Sequence, residues 1–320
     1  MSPETLNRGK ALAAALFWGA SFVATKTALR EIHPVTLIVV RFAMGVAILA
    51  SAIWVLKIYR WVRPRDLLLL AVLGANSITI HQGLQATGLL FTSAGSMAWL
   101  VALTPVFTAI LARIFLAEPF GAPKIMGLVI AFAGAVLVVT KGVLSPETLH
   151  LPSTTGDLLA LASALNWAIF SVASKPMLKR LPPTLMMGYV MFFGWLFILP
   201  FFAIGQGWNE IGLLSTGGWL AVGFLGILCS GLAYIFWYDA LAQIDASQVS
   251  AFIYLEPLVT VIVAGIVLGE AFTPVTLLGG LTILIGVYMV NTNMTRFAAE
   301  PIAWGGKLRT ILKPFGLFRE

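Results

Sequence analysis

Apolar residues run along this chain in long stretches separated by short polar or basic segments. Ten such spans stand out, at residues 10–29, 34–56, 66–90, 92–117, 122–140, 156–178, 184–205, 216–242, 246–270 and 273–292. Most are about 20 residues or longer, the length a tilted helix needs to cross about 30 Å of hydrocarbon. The pattern predicts an all-α integral membrane protein. The first span follows Arg8 and Lys10 as a signal peptide would, but no A-x-A pattern follows it and further spans do. It is read as a helix.

The spans repeat. Ala246 to Glu270 carries a Glu-Pro pair near its middle and overlays Ala94 to Glu118 without a gap. Leu103/Leu255, Pro105/Pro257, Thr108/Thr260, Ile110/Ile262 and Glu118/Glu270 are among the matches. Spans 3 to 5 match spans 8 to 10 at an offset of 152, pairing Gly74 with Gly226, Gly127 with Gly279 and Gly134 with Gly286. Spans 1 and 2 match spans 6 and 7 at 149, pairing Trp18 with Trp167, Lys26 with Lys175, Pro34 with Pro183 and Gly45 with Gly194. Five spans is an odd number, so the second copy enters the membrane from the opposite side, an arrangement through which transporters alternate access to a midplane site. The expected organisation is a first five-helix repeat at 10–141, an outer linker at 142–155, a second repeat at 156–292 and a basic, amphipathic tail at 293–320. The seven-residue glycine spacings suit close helix packing.

Composition agrees with the pattern: 59% of residues are hydrophobic and 10% charged, with a mean hydropathy of +0.96, against about 25% charged in soluble proteins. The net charge of +7 is read as short basic cytoplasmic loops rather than nucleic-acid binding. With the N-terminus inside, that side collects Arg8 and Lys10, the 57–65 cluster, Arg113, Lys124, Lys175, Lys179, Arg180 and the basic tail. Arg30 and Lys141 fall outside, and Lys26 and Arg41 lie within spans. Both termini are therefore expected to be cytoplasmic, in the cytoplasmic (inner) membrane. One cysteine, Cys229, leaves no internal disulfide and no cysteine-cluster metal site. Nucleotide, metalloprotease and hydrolase motifs are absent, so neither a cofactor nor an enzyme activity is expected. Transport would run down a gradient or be coupled to one.

Span 3 carries Asn76, His81 and Gln82, span 6 Asn166, and span 8 Tyr234 and Trp237. With Trp18, Trp99, Trp167 and Tyr254 they supply aromatic walls and a few hydrogen-bonding groups, suited to a small amphipathic substrate. A Trp taken singly is as readily an interfacial anchor or packing residue, although the pair Trp18/Trp167 falls inside spans. Glu256 is a candidate to neutralise a substrate amine or carry a coupling proton, or else a structural carboxylate bonded to groups freed by Pro257. His81 is a candidate proton relay, with a structural hydrogen bond as the alternative. Lys26 and Lys175 fall near opposite mouths, as gates or as snorkelling cations. Pro105 and Pro257 mark bends. Arg41 lies deep in span 2 with no partner apparent.

On ALFWGASFVATKTAL in span 1, LTPVFTAILARIFLAE closing span 4, YLEPLVTVIVAGIVLGE closing span 9 and the paired glycines of the last spans, the chain resembles the EamA branch of the drug/metabolite transporter (DMT) superfamily over about residues 10 to 292. The resemblance implies a basket-like fold of ten helices around a central cavity lined mainly by spans 1, 3, 4, 6, 8 and 9. It also implies export or exchange of small metabolites, amino acids among them. The early Trp and the L-x-P and L-E-P turns of the family match here as Trp18, Pro105, Glu256 and Pro257. The expectation is a secondary transporter of amphipathic metabolites, foremost amino acids, with a small-molecule substrate and the lipid bilayer as partners and proton coupling left open. The alternative is an uptake permease or exchanger for organic cations, nucleosides or sugar nucleotides. An intramembrane enzyme lacks a catalytic set, and a scaffold has no use for polar spans that form a cavity.

Overall fold

The computed structural model describes residues 3–140, 155–268 and 274–291, so residues 142–154 of the expected linker, Glu270 and the tail at 293–320 lie outside the described residues. Every element described is helical. In chain order they are α1 (Pro3–Ala28), α2 (Pro34–Val55), α3 (Pro64–Phe91), α4 (Ala94–Val101), α5 (Thr104–Leu116), α6 (Ala122–Thr140), α7 (Thr155–Leu178), α8 (Pro183–Ile204), α9 (Trp208–Ile211), α10 (Thr216–Gln243), α11 (Ala246–Ser250), α12 (Leu255–Leu268) and α13 (Pro274–Asn291). Seven segments are long and apolar enough to cross a membrane: α1, α2, α3, α7, α8, α10 and Ala246–Val263. Shorter apolar helices at Thr104–Leu116, Ala122–Leu137 and Leu278–Val290 fall in the other expected spans.

Prolines begin these helices more often than they break them. Pro34, Pro64, Pro183 and Pro274 each stand at a first position, where a missing N–H costs nothing because no intrahelical partner exists for it. His33 Nδ1 accepts from Val35 N at the start of α2, and Ser215 Oγ accepts from Gly218 N at the start of α10. The hydroxyl and amide of Ser215 in turn donate to Glu31 in the α1–α2 loop, which holds that carboxyl below the usual carboxylate range, the Ser215 hydroxyl contributing most.

Two expected spans are not continuous helices. Residues 92–117 divide into α4 and α5 just before Pro105, and 246–270 passes through a 3₁₀ turn at Ala251–Tyr254 before α12 and Pro257. The proline ring clashes with the carbonyl four residues back and supplies no donor, so the break falls on its N-terminal side. α3 and α10 each contain a π-helical stretch, Ala75–Ile80 and Leu225–Leu232. Such widened turns re-aim the side chains that follow. Here those are His81, Gln82 and Tyr234.

Contacts at the helix ends give the bundle two poles. Near the start of α1, Lys10 pairs with Asp239 late in α10 at 2.6 Å. At the other end of α1, Lys26 Nζ donates to the carbonyls of Leu89 and Thr92 as α3 finishes. α7 runs the opposite way. It starts beside the end of α3, where Thr92 Oγ1 donates to Asp157 at 3.0 Å, and finishes with Lys175 donating to the carbonyls of Leu241 and Ile244 as α10 ends. The two lysines thus cap helix C-termini at opposite poles, and their acceptors are separated by the same 152 residues as the repeat. An ammonium on exposed carbonyls meets the negative end of a helix dipole.

The glycine pairs do what their spacing requires. α6 and α13 cross so closely that a Cβ at Gly127 would lie 2.9 Å from Gly286 O, and one at Gly134 2.8 Å from Gly279 O. Only glycine permits that approach, and in a membrane close packing is the main attraction between helices. At the Lys175 pole, Ala117 takes a left-handed conformation with φ 55° and turns the chain so that Glu118 caps the start of α11. Its carboxylate accepts from the amides of Ala246 and Ser247 and from the Ser247 hydroxyl. Lys124, expected among the loop cations, is buried here and donates to Ser247 Oγ and Pro119 O.

Candidate functional site

A cavity lies inside the bundle where α1, α2, α3, α4, α7, α10 and α12 converge. It is lined by Trp18, Ser21, Phe22, Arg41, His81, Gln82, Gln85, Val101, Trp167, Tyr234, Ile253 and Glu256. Its empty space is about 450 Å³ counting what opens to solvent, and about 40 Å³ admits the centres of water-sized spheres. That is room for a few waters.

Its walls are aromatic. The Trp18 ring meets Trp167 edge-on at 5.3 Å, Tyr234 at 5.5 Å and Trp237 at 5.0 Å, and Trp167 lies 6.0 Å from Tyr234. Trp18 Nε1 donates to the Cys229 carbonyl in the π-helical stretch of α10 at 3.0 Å, which fixes the indole. The Gln82 amide lies 3.4 Å from the Tyr234 hydroxyl. Both pairs, Trp18/Trp167 and Gln82/Tyr234, are positions related by the sequence repeat and meet across the cavity.

The polar floor has distinct settings. His81 Nδ1 is 3.0 Å from the Ser163 carbonyl; a carbonyl only accepts, so that nitrogen is the donor. The ring also packs 5.0 Å from Trp167. Arg41 donates from Nε to Ser230 Oγ at 3.0 Å. Glu256 is held in place by its backbone. Thr260 Oγ1 lies 2.8 Å from both the Glu256 and Gly19 carbonyls, and a Cβ at Gly19 would stand 2.6 Å from Val259 Cβ, so glycine lets α12 press against α1. The Glu256 carboxylate has no hydrogen bond or ion pair to protein among the described residues. Nothing there bonds it to groups freed by Pro257.

Of the residues singled out from the sequence, the structure brings Trp18, His81, Gln82, Trp167, Tyr234 and Glu256 together on the cavity. Trp237 and Tyr254 are fully buried behind it. Asn76 and Asn166 bond to each other at 2.9 Å and do not line it. The Trp99 side chain lies outside the described residues. Lys26 and Lys175 sit at the poles, and Pro105 and Pro257 open α5 and α12. Gln85, another of the polar residues of span 3, lines it too, and Ser21, Phe22, Val101 and Ile253 do so without having been singled out. A signal existed for each. Ser21 and Phe22 follow Trp18 by three and four residues on one helix face, Gln85 likewise follows His81 and Gln82, and Val101 and Ile253 are repeat-related. Arg41 brings in α2, a span outside the expected lining. Among the described residues no group of three His, Cys, Asp or Glu side chains converges to hold a metal ion.

A bundle of apolar helices around an aromatic and polar cavity has the make-up of a multi-pass membrane protein. The profile of the EamA-like transporter family matches residues 10–140 and again 154–292, and the chain belongs to that family, within the DMT superfamily. It is a membrane transporter of that type. A transporter of Archaeoglobus fulgidus named as uncharacterized is 31% identical over 86% of this chain and 94% of its own. A protein of Streptantibioticus cattleyicolor named "Probable terminal-alkyne amino-acid exporter" is 30% identical over 86% of this chain and 89% of its own. A solved crystal structure matches with a TM-score of 0.71 over 89% of this chain and 97% of that one, at 18% identity, a likeness of fold.

Proposed function

We propose that the chain is a secondary transporter of the cytoplasmic membrane that exports or exchanges small amphipathic metabolites, foremost amino acids, by alternating access. The observation that carries this reading is a cavity to which both family-matched segments contribute, with Trp18 and Trp167 facing each other across it. The printed name of the Streptantibioticus relative favours amino acids. The alternative cargo classes fit less well. A sugar nucleotide needs several cations for its diphosphate, and among the described residues Arg41 is the one Lys or Arg on the cavity.

In this reading ten helices form two inverted five-helix repeats, 10–141 and 156–292, joined by an outer linker at 142–155 and followed by a cytoplasmic tail at 293–320. The lysine caps at opposite poles and the crossed glycines of α6 and α13 support it. Both termini face the cytoplasm, and rocking of the halves about the breaks before Pro105 and Pro257 moves the site between sides. Cysteines placed at the exposed positions 61 and 213 are expected to label from opposite faces of the membrane. Labelling from one face would overturn the inversion.

Counterflow in proteoliposomes tests the function. Vesicles loaded with unlabelled L-leucine, L-phenylalanine or L-propargylglycine are expected to accumulate the labelled form of the same compound. No exchange of any amino acid by folded protein, with exchange of an organic cation or nucleoside instead, would replace the reading by its alternative. Repeating the measurement with a pH gradient asks whether Glu256 or His81 carries a coupling proton.

A further inference from the structure

A guanidinium and a carboxyl group face the cavity, and neither has an ionic partner in the protein among the described residues. Arg41 is 5% exposed and Glu256 4%. A guanidinium carries five N–H donors in a fixed fork. Arg41 uses Nε on Ser230, and its planar group lies 5.0 Å over the Phe42 ring, with no carboxylate paired to it among the described residues. The Glu256 carboxylate has no protein partner there at all. The two line the same cavity yet do not pair with each other. Ionisable groups without partners are costly to charge inside a membrane, and they mark functional sites there.

The repeat shows that the scaffold needs neither charge. Position 104, related to 256, holds Thr, and position 190, related to 41, holds Val. Thr104 and Val190 are buried at equivalent places without a charge. A ligand that carries a carboxylate and an ammonium, with an apolar group to set against the indoles, would supply both missing partners.

Resting on the reading that this cavity is the substrate site, we propose that Arg41 and Glu256 are the two poles of a zwitterion site. The substrate's carboxylate meets the Arg41 fork, its ammonium meets Glu256, and its side chain lies against Trp18, Trp167 and Tyr234. The substrate class is then the free α-amino acid with an uncharged side chain. A lone cation would leave Arg41 unpaired and a lone anion would leave Glu256 unpaired, so both are rejected by the uncompensated pole.

The test uses the wild-type chain first, so that it does not depend on a variant folding. Competition against labelled L-leucine in counterflow is measured for L-leucine, L-leucine methyl ester, which lacks the carboxylate, and N-acetyl-L-leucine, which lacks the ammonium. Each analogue is expected to compete about tenfold or more weakly than L-leucine, the loss typical of a charge-assisted hydrogen bond. Arg41→Gln is then expected to narrow the gap between leucine and its methyl ester, and Glu256→Gln the gap between leucine and its N-acetyl form. Analogues that compete as well as leucine, or variants that weaken all three compounds equally, overturn the zwitterion site while leaving amino-acid transport standing. Failure of leucine, phenylalanine and propargylglycine alike to exchange, with another compound carried, overturns the function and the zwitterion site together.

Discussion

The packing of α1 against α10 and of α7 against α3 uses corresponding parts of the two matched segments, and the two contacts are finished differently. Across α1 and α10, Trp18 Nε1 donates to the Cys229 carbonyl and Lys10 pairs with Asp239. Beside them Arg41 of α2 reaches Ser230. Across α7 and α3 the related indole, Trp167 Nε1, is buried without a protein partner, as is the hydroxyl of Ser77, which corresponds to Cys229. Asn166 and Asn76 join by one bond and leave Asn76 Nδ2 and Asn166 Oδ1 unpaired. An unsatisfied buried polar group costs about 1–3 kcal/mol. The difference lies in the central indoles and amides: elsewhere α3 bonds to α7 through His81–Ser163 and Thr92–Asp157, and α10 also buries Trp237 Nε1 and Tyr238 Oη without a protein partner.

The cavity follows the same division. On the Lys26 side of the central rings it is lined by Ser21, Phe22 and Gln85. The related positions are Phe170, Ser171 and Trp237, all buried, with Phe170 packed on Trp167 at 5.7 Å and Trp237 on Trp18 at 5.0 Å. Phe170 and Trp237 pack against the rings on the Lys175 side where the other side has Ser21 and Gln85, while the Phe22/Ser171 pair runs the other way. Gln85→Trp gives the first segment the residue that the second carries at this place. It is expected to fill the cavity and lower counterflow roughly tenfold or more, because the site offers little spare volume. The protein should remain monodisperse on size exclusion. Unimpaired exchange by the folded variant would mean that the space beside Gln85 is not on the substrate's route, and the division between the two sides would lose its functional meaning.

Much of this was legible in the sequence, for reasons that differ by residue. Helix positions follow from apolar length, and the crossing of α6 and α13 from Gly127, Gly134, Gly279 and Gly286, because a close approach has one residue type that allows it. The repeat picked out Trp18 and Trp167 as a related pair inside spans, and the structure shows that they meet. Asn76 and Asn166 were misjudged as cavity groups because composition does not tell a polar side chain that faces a cavity from one satisfied by a neighbouring helix. The π-helical stretches in α3 and α10 decide that, and no residue type marks them. Arg41 stood out by depth in its span, but its place on the cavity depends on α2 packing beside Ser230 and Tyr234, a long-range contact with no local signature. The breaks before Pro105 and Pro257 were seen, although as bends within helices rather than as separate helices.

The smallest effect expected is the most direct measure of how differently the two contacts are finished. Trp18→Phe removes a buried donor and leaves the Cys229 carbonyl without it, so stability should fall by about 1 kcal/mol beyond the loss of ring area. Trp167→Phe removes a donor that has no partner, so the polar term there is absent or favourable and only the ring area is lost. Both substitutions exchange the same side chains at related positions, and the packing terms largely cancel in the comparison. Thermal unfolding in one detergent should therefore place Trp18→Phe below Trp167→Phe, by a few degrees. Equal midpoints, or the reverse order, would show that the indole of Trp167 is as well satisfied as that of Trp18. The unequal bonding of the two related indoles would then have no energetic consequence.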